Sequence, residues 1–146
     1  MRWNQFGNDP TRASALGDVL LGAALAGRQL TETKLAVVHG QVAKVLGASE
    51  LPPEVVAHLR IFEPLRFDLG TACKRLALEG PRDRIALMKA VSLVIHAEGA
   101  VQPEERAYAL RVATQLGVPW NEVLDLVGMP SRPSTGPRTR PEPRQQ

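Results

Sequence analysis

Apolar residues recur at helical spacing through the whole middle of the chain, and glycine or proline punctuates each run. Asp9-Pro10 reads as an N-cap with proline at the first helical position, and the apolar stretch behind it reaches about Ala26 before Gly27. A second helix begins near Thr31 or Glu32, keeps Leu35, Val38, Val42, Val45 and Leu46 at helical spacing, and stops at Gly47. After a turn over Ser49–Pro53, a third, shorter helix is predicted over Glu54–Phe62, with a break around Pro64. Asp68 caps a fourth, whose apolar face is Leu69, Ala72, Cys73 and Leu76 and which Gly80-Pro81 ends.

The fifth helix, about Arg82–Ala97, carries the strongest signal. Between Ile85 and Ala97 only Lys89, Ser92 and His96 are polar, and they share one narrow stripe. A helix apolar on its other sides is predicted to sit at the centre of a bundle, with Val91 and Leu93 both buried. Gln102-Pro103-Glu104-Glu105 opens a sixth helix that runs to Leu116 and stops at Gly117, and Pro119 begins a short seventh ending at Gly128. No stretch alternates at period 2 for long enough to make a sheet. The fold class expected is all-α, a single compact bundle of about seven short helices with antiparallel neighbours. Gly17, Gly22, Gly40 and Gly70 lie inside helical runs, where each costs about 0.8–1 kcal/mol against alanine. Close approach of two helices is the expected reason.

Charge sharpens the domain boundaries. The 146 residues have a formal net charge of +3, yet from Pro130 onward there are four arginines (Arg132, Arg138, Arg140, Arg144) against one acid, Glu142. Positions 1–129 are therefore neutral overall. The organisation expected is a flexible N-terminus over 1–8, on which Trp3 and Phe6 can staple the first helix, a helical domain over 9–128, and a disordered Pro/Arg-rich tail over 129–146. The tail can make weak, salt-dependent contacts with polyanions. With one cysteine, Cys73, an internal disulfide framework is excluded. No apolar run reaches the roughly 18–20 residues of a membrane span, and the first residues lack a secretory apolar region, so a cytoplasmic location is expected.

Two acids are placed awkwardly. Glu98 is expected in the last turn of the fifth helix, where a carboxylate meets unpaired carbonyls at a cost of roughly 0.3–1 kcal/mol. Glu105 shares the face of Ala109, Val112 and Leu116, whereas Glu104 goes with Tyr108, Arg111 and Gln115 on a face read as solvated. A weakly bound divalent cation, Ca²⁺ or Mg²⁺, held by Glu98 and Glu105 with His96 as a third contact, would relieve both. A salt bridge to Lys89, Arg106 or the basic end of another helix would do so equally. The two cases differ in sign. With a shared cation, neutral variants stabilise slightly in the absence of metal; with a salt bridge they destabilise and metal does nothing. His39 is expected to be packed in the core, His58 has no acid at ligand spacing, and Cys73 is expected to be a small core hydrophobe. No phosphate-binding glycine loop, G-x-S-x-G or nucleic-acid motif occurs, so neither an enzyme nor specific nucleic-acid binding is expected.

Leu-Leu-Gly-Ala-Ala-Leu-Ala-Gly-Arg (20–28) followed by a helix ending Val-Leu-Gly (45–47) is echoed later. There Leu-Val-Ile-His-Ala-Glu-Gly-Ala (93–100) is followed by a helix ending Gln-Leu-Gly (115–117). With this pseudo-repeated helix–turn–helix unit, and with Ala97-Glu98-Gly99 ahead of Val101 and Glu104-Glu105, residues 14–127 resemble the TerB-like family, the all-helical domain of tellurite-resistance and DjlA-type proteins. The resemblance implies a non-enzymatic protein-interaction module in a stress-related or envelope-associated assembly. It also implies that Glu98 and Glu105 match acids of a metal-binding cluster, giving the alternative of a divalent-metal sensor or buffer. The first copy has Ala26 and Thr33 where the acids would stand, so at most one such site is expected per chain.

Overall fold

A computed structural model describes residues 10–27, 30–78 and 80–127. The expected staple at Trp3 and Phe6 and the tail from 129 lie outside them. The described residues contain seven helices and no strand. These are α1 (Pro10–Ala26), α2 (Glu32–Leu46), α3 (Pro53–Arg60), α4 (Leu69–Leu76), α5 (Pro81–Ile95), α6 (Pro103–Leu116) and α7 (Trp120–Val127). Local chemistry accounts for most of the ends. Thr31 and Asp68 accept backbone N–H groups with their side chains, Pro53, Pro81 and Pro103 open helices, and Gly47 and Gly117 close two of them in the left-handed region. α4 ends earlier than Gly80-Pro81 predicts, because Ala77 itself takes a left-handed conformation at φ 51°. The guanidinium Nε of Arg12 then donates to the carbonyl of Leu76 at 2.9 Å, satisfying a group the helix end leaves bare.

The centre of the bundle is α1, not α5. α1 packs against α2, α3, α4, α5 and α6, whereas α5 meets α1, α2, α6 and α7. The reason lies in side-chain size. α1 is built from Ala13, Ala15, Leu16, Val19, Leu20, Ala23 and Ala24, all essentially inaccessible, so a thin helix can be surrounded closely. Gly17 and Gly22 extend this, since a β-carbon at Gly17 would strike Leu59 and one at Gly22 would strike the Tyr108 hydroxyl. Gly40 differs from the expectation: nothing approaches it.

On the face read as solvated, Glu104, Arg111 and Gln115 are exposed, but Tyr108 is not. Tyr108 is 3% exposed, and its hydroxyl crosses to the Val19 carbonyl at 2.7 Å. A tyrosine can be buried this way only when its O–H finds a partner.

On α5 the expectation divides. Val91 is fully buried but Leu93 is 52% exposed. Val91→Ala is expected to cost about 2–3 kcal/mol by lost burial and residual cavity, and Leu93→Ala less than about 0.5 kcal/mol. Urea denaturation of the two variants checks this pair, and equal losses would contradict the placement of α5.

Candidate functional site

The α1–α2 and α5–α6 junctions meet, and their meeting explains both awkward acids. Thr31 has two roles: its Oγ1 accepts from the Lys34 N–H at 3.1 Å, capping α2, and donates to Glu98 Oε2 at 2.9 Å. A hydroxyl can do both because it has one proton and two lone pairs. The start of α2 also lowers Lys34 into the interior, where its side chain is 6% exposed and its Nζ lies 2.8 Å from Glu105 Oε2. The angles of that contact miss those of a hydrogen bond, so Oε2 is held by charge rather than direction. Lys34 Nζ also donates to the Ala24 carbonyl at 3.5 Å, and Glu105 Oε1 accepts the Gln102 N–H at 2.7 Å. The carboxylate thus caps α6 with one oxygen and neutralises Lys34 with the other. A β-carbon on Gly27 would come within 2.8 Å of the Glu105 carboxyl, so the residue that ends α1 also clears room for the buried acid.

Glu98 and Glu105 are therefore engaged separately, one by Thr31 and one by Lys34. α5 ends at Ile95, which places Glu98 in the turn after the helix rather than in its last turn. His96 is bound to Ser92. Its Nδ1 lies 2.8 Å from the Ser92 carbonyl, an acceptor only, so this nitrogen carries the proton. Ser92 Oγ, 3.1 Å from the same nitrogen, donates to the Leu126 carbonyl at 2.9 Å and ties α7 down. Among the described residues no group of three or more His, Cys, Asp or Glu side chains is arranged to hold a metal ion.

A second cluster was invisible at sequence spacing. His58 Nε2 lies 3.0 Å from both carboxylate oxygens of Asp18, forty positions away on α1. The pair opens into a cleft of about 250 Å³ shared with Phe62, Arg66 and Phe67, and among the described residues no hydroxyl or thiol lines it.

Burial raises the Asp18 carboxyl above its ordinary 3.8, against the opposing pull of the His58 hydrogen bond and the His58 and Arg75 charges. A native state that holds its proton longer than the unfolded chain loses stability as pH rises. The contribution of Asp18 is thus complete below about pH 3.8 and is lost upward through its raised value. Asp18→Asn should remove that decline, and His58→Gln should raise the carboxyl further; a carboxyl NMR titration and urea melts across this window check both.

His39 is partly exposed on α2 rather than fully packed. Cys73 is buried as expected, and burial pushes its thiol up to about 11, so it stays protonated at neutral pH.

A trough with an apolar floor lies between α2 and α5. Pro81, Ile85, Ala86, Ala90 and Leu93 contribute apolar surface, while Lys44, Arg82 and Lys89, with Gln41, supply polar ends, enclosing about 570 Å³. Among the described residues no acid lines it, and none of the three cations has an ion-pair partner. The apolar wrap of α5 predicts a buried Leu93, which the structure instead leaves exposed. The sequence signal that could have placed it is helical phase, since Arg82, Lys89 and Leu93 are spaced i, i+7 and i+11 on one line of the helix.

Comparison of the chain with family models, with curated proteins and with solved structures gave no match.

Proposed function

We propose that this chain is a non-enzymatic protein-interaction module of the TerB-like kind, acting in a stress-related or envelope-associated assembly, with the α2–α5 trough as its docking surface. The TerB-like element rests on the repeated helix–turn–helix pattern and on the Ala97-Glu98-Gly99 motif. The interaction element rests on one observation: Leu93 is 52% exposed on a helix whose neighbours Val91, Val94 and Ile95 are inaccessible. Together with Ile85, it leaves an apolar strip on a rigid element that a partner would cover. No helix among the described residues is long and apolar enough to cross a membrane, so that strip is not part of a helical span.

The test places a photo-crosslinking residue at position 93 and, as a control, at the exposed position 122 on α7, in the full chain inside cells. Discrete adducts with another protein at 93 and none at 122 are expected, and a chain without adducts at 93 would refute the reading.

The metal-sensor alternative makes a separate prediction. Lys34 already delivers a positive charge to Glu105, so millimolar Ca²⁺ or Mg²⁺ should leave the melting temperature unchanged. A rise that Glu98→Gln and Glu105→Gln each abolish would put the alternative in front.

A further inference from the structure

The trough has a length, a charge and a wall material, and together these specify its occupant. Arg82, Lys89 and Leu93 follow one line along α5 over eleven residues, roughly 16 Å at 1.5 Å per residue. Both walls are helices, and no strand edge exists among the described residues to pair an extended peptide. A furrow between two helices, three turns long and apolar along its floor, accepts a third helix laid into it.

The rim selects the sign of the partner. Lys44 on one wall and Arg82 and Lys89 on the other surround the floor with three positive charges, and the acid nearest in sequence, Asp83, does not line it. The chain's own segment from Pro130 carries four arginines against one acid, so like charge opposes its entry. Resting on the protein-interaction reading above, we propose that the α2–α5 trough binds an acidic amphipathic helix of another protein. That helix places an apolar stripe over Ile85, Ala90 and Leu93 and carboxylates beside Arg82 and Lys89. Because those two cations are seven residues apart, the matching acids stand two helical turns apart on the partner. A bare polyanion would engage the rim but leave the apolar floor unused.

The probe is a fluorescein-labelled helical peptide with leucines at i, i+4, i+7 and i+11 and glutamates flanking them two turns apart. Two controls are used: the same peptide with lysine for every glutamate, and a scramble of equal composition. Anisotropy titration of the full chain should show the acidic peptide binding at least tenfold more tightly than either control. Leu93→Ser and Lys89→Glu should each weaken it tenfold or more while leaving the melting temperature unchanged, since both side chains are exposed. Arg82→Glu combined with Lys89→Glu should exchange the preference in favour of the lysine peptide. Raising salt to half molar should weaken binding without abolishing it, because the screened rim leaves the apolar floor in place.

Equal binding of the acidic and lysine peptides would overturn the proposal. So would Leu93-dependent binding to phosphatidylglycerol vesicles or to a single-stranded 20-mer DNA in preference to the peptide, or a Leu93-dependent dimer of the chain in sedimentation. Failure of the peptide alongside retained position-93 adducts would overturn the acidic-helix assignment alone, whereas loss of both would remove the protein-interaction reading as well.

Discussion

Lys34→Met is expected to destabilise the protein by about 3–5 kcal/mol at neutral pH, the loss characteristic of a buried ion pair deprived of one partner. Glu105 is 1% exposed and would be left with only the Gln102 N–H, on its other oxygen, to answer it. Glu105→Gln should also destabilise, but less, because an amide oxygen can still accept from Gln102 while the Lys34 ammonium loses its counter-charge. The double variant Lys34→Met/Glu105→Gln should recover much of the loss, since replacing both members of a buried pair removes the stranded charge. Glu98→Gln should change little: Glu98 is exposed, and its amide oxygen would still accept the Thr31 hydroxyl. Urea denaturation of the four variants checks this, the first three closing a double-mutant cycle. A cost below about 1 kcal/mol for Lys34→Met would mean that the ammonium escapes to solvent and the junction is not held by this pair. Of the two cases that the sequence left open for these acids, the ion pair is the one that this cycle tests.

Gly22→Ala is the second large effect, with an expected loss of about 2–4 kcal/mol despite the better helix propensity of alanine. The new methyl would occupy the place of the Tyr108 hydroxyl and press on Phe67. Tyr108 must then retreat, and its buried O–H gives up the Val19 carbonyl. Overpacking costs about 1–3 kcal/mol and a stranded buried hydroxyl about 1–3 kcal/mol, against roughly 1 kcal/mol gained from propensity. Tyr108→Phe alone should cost about 1 kcal/mol, and the same Gly22→Ala change introduced into it should be milder than in the parent. Thermal or urea melts of the three variants decide. Gly40→Ala is the control: nothing lies near it, so alanine should be neutral or slightly stabilising there.

The sequence by itself determined the elements. Caps, prolines, terminal glycines and helical periodicity are local signals, and they were enough for seven helices, their order and most of their ends. They were enough, too, to mark Glu105 as an acid on an apolar face, because helical phase depends only on counting residues. What the tertiary structure decided depends on pairs of residues distant in the chain, which no local period encodes. Lys34 reaches Glu105 across 71 positions and Thr31 reaches Glu98 across 67, so the acids' partners came from another helix. Asp18 meets His58 across forty positions, and Tyr108 left its seemingly solvated face because Val19 and Gly22 offered an acceptor and a gap. The central helix was likewise a matter of packing. α5 has the more continuous apolar surface, but α1 is slimmer, and a helix whose leucines are interleaved with alanine and glycine can be approached from more sides at once. That choice leaves Leu93 uncovered. Hydrophobicity sets how much of a helix resists water, while side-chain volume and the number of neighbours that can reach it set which apolar face is left over for a partner.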